Sequence, residues 1–247
     1  PRSTLFPYTT LFRSLRRLTG EDLLADQTGL LAAPLHLLWH IRPWGGSVIP
    51  INQSSATLKP AGGMMHLIAR SRSAAGLWGW LRLLGPEGDG SYGWSSWLGD
   101  AVSLPYVLLF ADPELEPMHP VAAGLPLSRL FARGQVALRD GWEADSALVT
   151  LTCGEGIPGV WNQGDAGSFT FDALGEGFAV DCGAGMGRTE DHNAILVDGL
   201  GQDSDGGPAA VQGRITSFRD AGDWCVVEAD ATAAYQRRAP VARLHRR

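Results

Sequence analysis

The sequence predicts an α+β chain with its helices first and its strands after, on three observations. Apolar residues recur at helical spacing between Leu15 and Phe110. A proline-rich connector, Pro113 to Pro126, then interrupts all periodicity. From Phe131 onward, short alternating or apolar runs are punctuated by Gly and Asp turns, the pattern of an antiparallel β-sandwich.

The helical half begins with leucines at roughly helical spacing over 15–38, and Pro34 is expected to break that run. Met64 to Leu84 reads as one amphipathic helix stopped by Gly85-Pro86. A third apolar segment, Trp97 to Phe110, ends at Asp112-Pro113. Trp78, Trp80, Trp94 and Trp97 raise a sugar-stacking hypothesis, but aromatic side chains more often serve helix packing, and that reading is preferred. His36, His40 and His66 read as capping or surface histidines. The His36/His40 spacing puts both on one helix face, crowded by Pro34 and Pro43.

In the β half, strands are expected in Gly134–Trp142, Ser146–Gly154, Ser168–Leu174, Phe178–Gly183 and Ala194–Gly199. Three more are expected in Ala209–Phe218, Asp223–Tyr235 and Ala239–Leu244. Asp198-Gly199 is a tight-turn signal. Arg139 and Trp142 read as structural.

Composition narrows the function classes. The 247 residues are 45% hydrophobic, enough to bury a core, and no apolar run is long enough for a membrane span. The formal charge is −6 and no basic stripe appears, so nucleic acid is not an expected partner. Basic residues are almost all Arg, with Lys59 the only lysine. Cys153, Cys182 and Cys225 lack metal-type spacing and read as buried free thiols. Ser3 to Ser14, STLFPYTTLFRS, looks like a translated sequencing adapter, which places 1–14 outside fold reasoning, and the C-terminus reads as cut.

The polar residues with chemical potential collect between 161 and 202. Gln163, Asp165, Asp181, His192 and Asn193 lie at or beside strand ends, where adjacent antiparallel strands can bring them together. A carboxylate and an imidazole joined this way make half of a metal site. Asp165, Ser168 and Asn193 are expected to bond backbone groups and fix turns.

Three ordered motifs in this stretch are Asp165-Ala166-Gly167-Ser168-Phe169, Gly175-Glu176 through Asp181-Cys182-Gly183, and His192-Asn193 through Gly201-Gln202. Together they resemble the C-terminal β-domain of the heparinase II/III-like polysaccharide lyases, over about Gly134 to Tyr235. The resemblance implies that 15–112 is the helical remnant of an (α/α) toroid and 113–128 a connector. Residues 129–247 would be the β-sandwich, truncated at its end.

It further implies a fragment of an enzyme that cleaves uronic-acid-containing glycans by β-elimination, with an acidic polysaccharide or oligosaccharide as partner. A periplasmic or secreted full-length parent would follow. Asp181 and His192 match two metal-binding positions of the family, and Gln163 stands where a histidine is expected as the third. The implied cofactor is a divalent metal, zinc. Trp161 stands where a catalytic-side histidine is expected, and an indole N–H cannot transfer protons. Trp161 and Asn162 are therefore assigned to substrate contact, and no catalytic residue is assigned. The alternative is a non-catalytic carbohydrate-binding or structural sandwich that has lost its histidine.

Overall fold

The structure, a computed structural model, describes residues 14–50, 62–83, 107–155, 162–183, 187–203 and 213–246. These form two compact units. The first gathers 14–41, 45–47, 62–83 and 107–125, and the second 42–44, 48–50 and the described residues from 126 onward.

The first unit is helical. Helices α1 (Thr28–Leu31), α2 (Ala33–Leu38), α3 (Gly62–Ser71) and α4 (Ala74–Leu83) make it up, and residues 14–19 and 107–110 are helical too. The leucine run is broken as expected, between α1 and α2, and Pro34 sits in the first turn of α2, where a residue has no intrahelical N–H bond to lose. The single helix expected over Met64–Leu84 is two. Arg72 takes a positive φ of 48°, and the Ser73 hydroxyl accepts the Gly76 N–H at 3.1 Å, so a new helix is capped two residues after the old one ends. Gly79 allows close approach of α4 to α2: a Cβ there would lie 2.7 Å from Leu38 Cδ1.

Met65, Ile68, Trp80 and Phe110 form one apolar cluster, and Trp78 packs edge-on to His119 at 5.1 Å. Trp78 and Trp80, the two of the four candidate stacking tryptophans that lie among the described residues, are thus packing residues. Trp94 and Trp97, the Gly85-Pro86 stop and most of the Trp97–Phe110 segment lie outside the described residues. The His36 and His40 rings meet at a tilt, 4.6 Å between centroids, but His40 Nδ1 bonds the His36 carbonyl at 3.0 Å, the geometry of a helix-end contact.

The second unit holds two antiparallel sheets. The larger runs β1 (Arg129–Phe131), β2 (Gln135–Arg139), β3 (Leu148–Thr152), β4 (Ser168–Ala173) and β5 (Glu176–Ala179) in sequence order. The smaller runs β6 (Arg214–Asp220), β7 (Cys225–Asp230) and β8 (His245–Arg246). Helices plus two antiparallel sheets make the chain α+β. Val136, Leu151, Cys153, Ala166, Val227, Ala229 and Tyr235 share one apolar core, so both sheets contribute to it.

Several strands differ from expectation. Ala194–Gly199 forms no strand. Its end closes on itself through the Val197–Leu200 bridge, with Asp198 and Gly199 both at positive φ. The Ala239–Leu244 strand falls instead at 245–246, and β5 stops at Ala179, before Asp181.

The larger sheet also departs from simple amphipathic alternation. On β4, Phe169 and Phe171 are half-buried, while Ser168, Thr170 and Asp172 on the opposite face are buried. Register places Thr152 opposite Ser168, Thr150 opposite Thr170 and Leu148 opposite Asp172. The two threonine hydroxyls bond at 2.6 Å, and Asp172 accepts Arg42 Nη1 at 2.7 Å. This sheet face is therefore a buried polar layer, and its groups need these partners.

Arg139, buried, sits 4.7 Å over the Trp142 ring. All three cysteines are free: Cys153 is buried and its thiol pKa is pushed up to about 11 by that burial, but Cys182 is exposed and Cys225 half-buried, contrary to the expectation of three buried thiols.

Candidate functional site

The structure brings Asp181 and His192 together. Beyond the end of β5 the chain carries Asp181, and the 3-10 turn Thr189–Asp191 delivers His192 to it. His192 Nδ1 lies 2.7 Å from Asp181 Oδ2, and the imidazole side chain is fully shielded from solvent. The other carboxylate oxygen, Asp181 Oδ1, accepts the Gly183 N–H at 2.8 Å. On the far side of that same residue, Gln163 Nε2 donates to the Gly183 carbonyl at 2.9 Å. Gly183 thus ties the predicted Gln163 and Asp181 to one stretch of backbone.

Asp165 joins this group electrostatically. Burial raises its pKa, the charge of Asp181 raises it further and His192 opposes, leaving it at about 6. Burial pulls the His192 pKa down, but the Asp181 hydrogen bond and the charges of Asp181, Asp165 and Asp191 outweigh it and leave the imidazole above its usual value. Two carboxylates and one imidazole therefore share a poorly solvated site in which each charge sets the others' protonation. His192 Nε2 is buried and has no hydrogen-bond partner among the described residues.

Among the described residues no group of three or more His, Cys, Asp or Glu is arranged to hold a metal. Two features nevertheless suit a cation: the excess of carboxylate over imidazole charge, and the unpartnered, shielded Nε2. The weak member is Gln163, because an amide oxygen is a poor zinc ligand beside His or Asp. Asn162 is buried at 3% exposure. Trp161 lies outside the described residues.

Asn193 holds strands, not a turn. Its Nδ2 donates to the Phe169 carbonyl at 2.8 Å and to the Val180 carbonyl at 3.0 Å. Ser168 Oγ, expected to fix a turn, is buried with no partner among the described residues. It faces a cavity of about 10 Å³ whose walls include Asp165, Asp181, Thr150 and Thr170.

Three supporting residues were not foreseen. Gln202 is fully buried and pairs with both backbone groups of Ala166: its Oε1 accepts the N–H at 3.1 Å and its Nε2 donates to the C=O at 2.9 Å. Gln202 Nε2 also reaches the Tyr235 hydroxyl at 3.1 Å, and that hydroxyl donates to the Ile195 carbonyl at 2.5 Å. Arg246 Nη1 donates to the carbonyls of Gly167 at 2.9 Å and Asn193 at 2.6 Å, with its guanidinium 5.0 Å over the Phe169 ring. Gln202 closes the third sequence motif, which was its one signal. Tyr235 and Arg246 carry no local pattern that announces them.

No family model matches the chain, and no curated protein does. Solved structures do. A mutant of the heparan sulfate lyase HepC from Pedobacter heparinus is similar over 94% of this chain and 33% of its own, with a TM-score of 0.58 at 13% identity. The unmutated HepC gives a TM-score of 0.55 at 14% identity over the same shares. A heparinase III structure gives 0.50 at 15% identity over 89% of this chain and 33% of its own. The chain spans about a third of each of these proteins, and the likeness is one of fold.

Proposed function

We propose that the chain is part of a polysaccharide lyase that cleaves uronic-acid-containing glycans by β-elimination. The observation that carries this reading is the Asp181–His192 pair, with Asp165 beside it, on a fold similar to that of the heparan sulfate lyases. Elimination requires a base for the weakly acidic C5 proton, neutralisation of the adjacent carboxylate, and an acid for the departing glycosidic oxygen.

In this proposal Gln163, Asp181 and His192 bind a divalent ion, zinc by the family resemblance, and Trp161 and Asn162 contact the sugar. Bound there, such an ion supplies positive charge toward an anionic substrate. The protein's own part is to hold the ligands: Asp181 fixes the imidazole orientation through Nδ1, Gly183 fixes Asp181 and Gln163, and Gln202 fixes the Ala166 backbone beside Asp165. No group of the chain is assigned as the base.

The test is metal content of the purified protein, with Asp181→Ala and His192→Ala as controls. A stoichiometric divalent metal lost in both variants supports the inherited site. Its absence from the wild type removes the metal assignment.

A second reading, a non-catalytic carbohydrate-binding or structural sandwich, is favoured by Trp161 and Gln163 standing where histidines are expected. Ultraviolet absorbance of the unsaturated uronate product separates the two. Product formation on an acidic glycan supports the lyase, and saturable binding with no product supports the module.

A further inference from the structure

We propose a second binding site, for a single carboxylate or sulfate group, in the helical unit and independent of the lyase reading. A cavity of about 210 Å³ is lined by Arg16, Asp22, His66, Arg70 and Phe110. Its volume is below the ~300–1,000 Å³ of drug-sized pockets, which suits one small anionic group. His66 and Arg70 stand one turn apart on α3, and the His66 ring rests on Phe110 at 4.4 Å between centroids.

The charges around this cavity are unbalanced. Among the described residues Asp22 is the one carboxylate in its wall, and it serves both arginines: Oδ2 accepts from Arg70 Nη2 and faces Arg16 Nη1 at 3.5 Å. Its other oxygen, Oδ1, accepts the Leu24 N–H at 3.2 Å. Burial pushes the Asp22 pKa up, but the Arg70 hydrogen bond, the Leu24 N–H and the two guanidinium charges outweigh it and hold it below the usual value, so the carboxylate is charged and fully engaged.

Arg70 still has an unmet need. Its Nε is shielded from solvent and has no acceptor among the described residues, although it shares one guanidinium edge with the Nη2 that Asp22 takes, so that two-point edge is half used. Two guanidiniums offer ten N–H donors between them against one carboxylate, and a guanidinium edge matches a planar or tetrahedral oxyanion in two-point fashion. A cavity with surplus forked donors, an apolar floor and room for one group is built for an oxyanion. Asp22 acts as the resident anion that a ligand must share or displace.

That last feature gives a test in which binding improves. Titrate the full chain calorimetrically at low ionic strength, where charge pairing is least screened, with sulfate and with glucuronate, using chloride as the ionic-strength control. Saturable one-site binding is expected for the wild type. Asp22→Asn keeps the side-chain shape and frees both arginines, so affinity should rise about three- to fivefold, the size of one exposed ion pair. Arg16→Gln, at a side chain 55% exposed, leaves the helices intact and should weaken binding by a similar factor.

Arg70→Ala should abolish binding, and Arg70→Lys, which keeps the charge but loses the fork, should restore only part of it. Tighter binding of glucuronate than of sulfate identifies a sugar acid as the natural source, and equal binding identifies a free oxyanion. Absence of saturable binding in both wild type and Asp22→Asn overturns the site, as does an affinity indifferent to Asp22→Asn and Arg16→Gln. Metal content and glycan cleavage are untouched by either result.

Discussion

Asp165→Asn should stabilise the protein at neutral pH, against the usual effect of altering a poorly solvated polar residue. The folded chain holds the Asp165 proton to about pH 6, whereas an unfolded carboxyl releases it near 3.8. Between those values the native state binds more protons than the unfolded state, so stability falls as pH rises through the window. A shift of about two units corresponds to roughly 3 kcal/mol at 1.36 kcal/mol per unit. That figure is already net of the His192 attraction, and an amide fits the place of a carboxyl imperfectly, so about 1–2 kcal/mol of it is the gain expected from the substitution.

The assay is urea unfolding of wild type and Asp165→Asn in a chelating buffer at pH 4.5 and pH 8. The variant should gain about 1–2 kcal/mol at pH 8 and only about a third as much at pH 4.5, where the folded carboxyl keeps its proton but most unfolded chains have released theirs. Equal destabilisation at both pH values would refute the reasoning, since it would mean that the carboxylate makes a contact worth more than its desolvation cost.

Other outcomes follow from the supporting residues. Gln202→Leu should cost about 2–4 kcal/mol in chemical unfolding, because it strands both Ala166 backbone groups without partners. Tyr235→Phe removes only the hydroxyl bonds and should cost about 1 kcal/mol by the same measurement. Arg42→Ala leaves Asp172 buried and unpaired, a loss of about 3–5 kcal/mol at pH 7. Burial raises the Asp172 pKa, with Arg42 and Arg139 opposing, so that penalty should shrink under acid as the carboxyl takes up a proton; unfolding at pH 4 and pH 7 checks it. Asn193→Ala should speed amide hydrogen exchange along β4 and β5 selectively, because its amide spans the Phe169 and Val180 carbonyls.

Much of the β half can be read from pattern alone. The runs around Val136, Val149, Phe169 and Val227 are strands because alternation and β-branched residues coincide with Gly and Asp boundaries. The meeting of Asp181 with His192 follows from motif order, although spacing alone left it open. Ala194–Gly199 has strand composition, yet its turn at Asp198-Gly199 closes a bridge too short to extend. The polar face of β4 also misleads, because alternation tells two faces apart without saying that the polar one is exposed. Burial of that face depends on Arg42, 130 residues away in sequence, which no local window contains. The break at Arg72 was hidden for a different reason: two helices with similar apolar stripes, separated by two residues, look like one.

The Arg246 clamp orders events in time. It reaches across 79 residues to the Gly167 carbonyl and across 53 to that of Asn193. Hairpins such as β2–β3 close over short loops and can form early, while the long closure that brings Arg246 home costs more chain entropy and comes late. The loop bearing Gln163 and Asp165 and the turn bearing His192 are thus left loosely tied until the strand at 245–246 docks. During synthesis that strand emerges after the other described strands of both sheets, so the neighbourhood of the site is set late in folding and not at its nucleus.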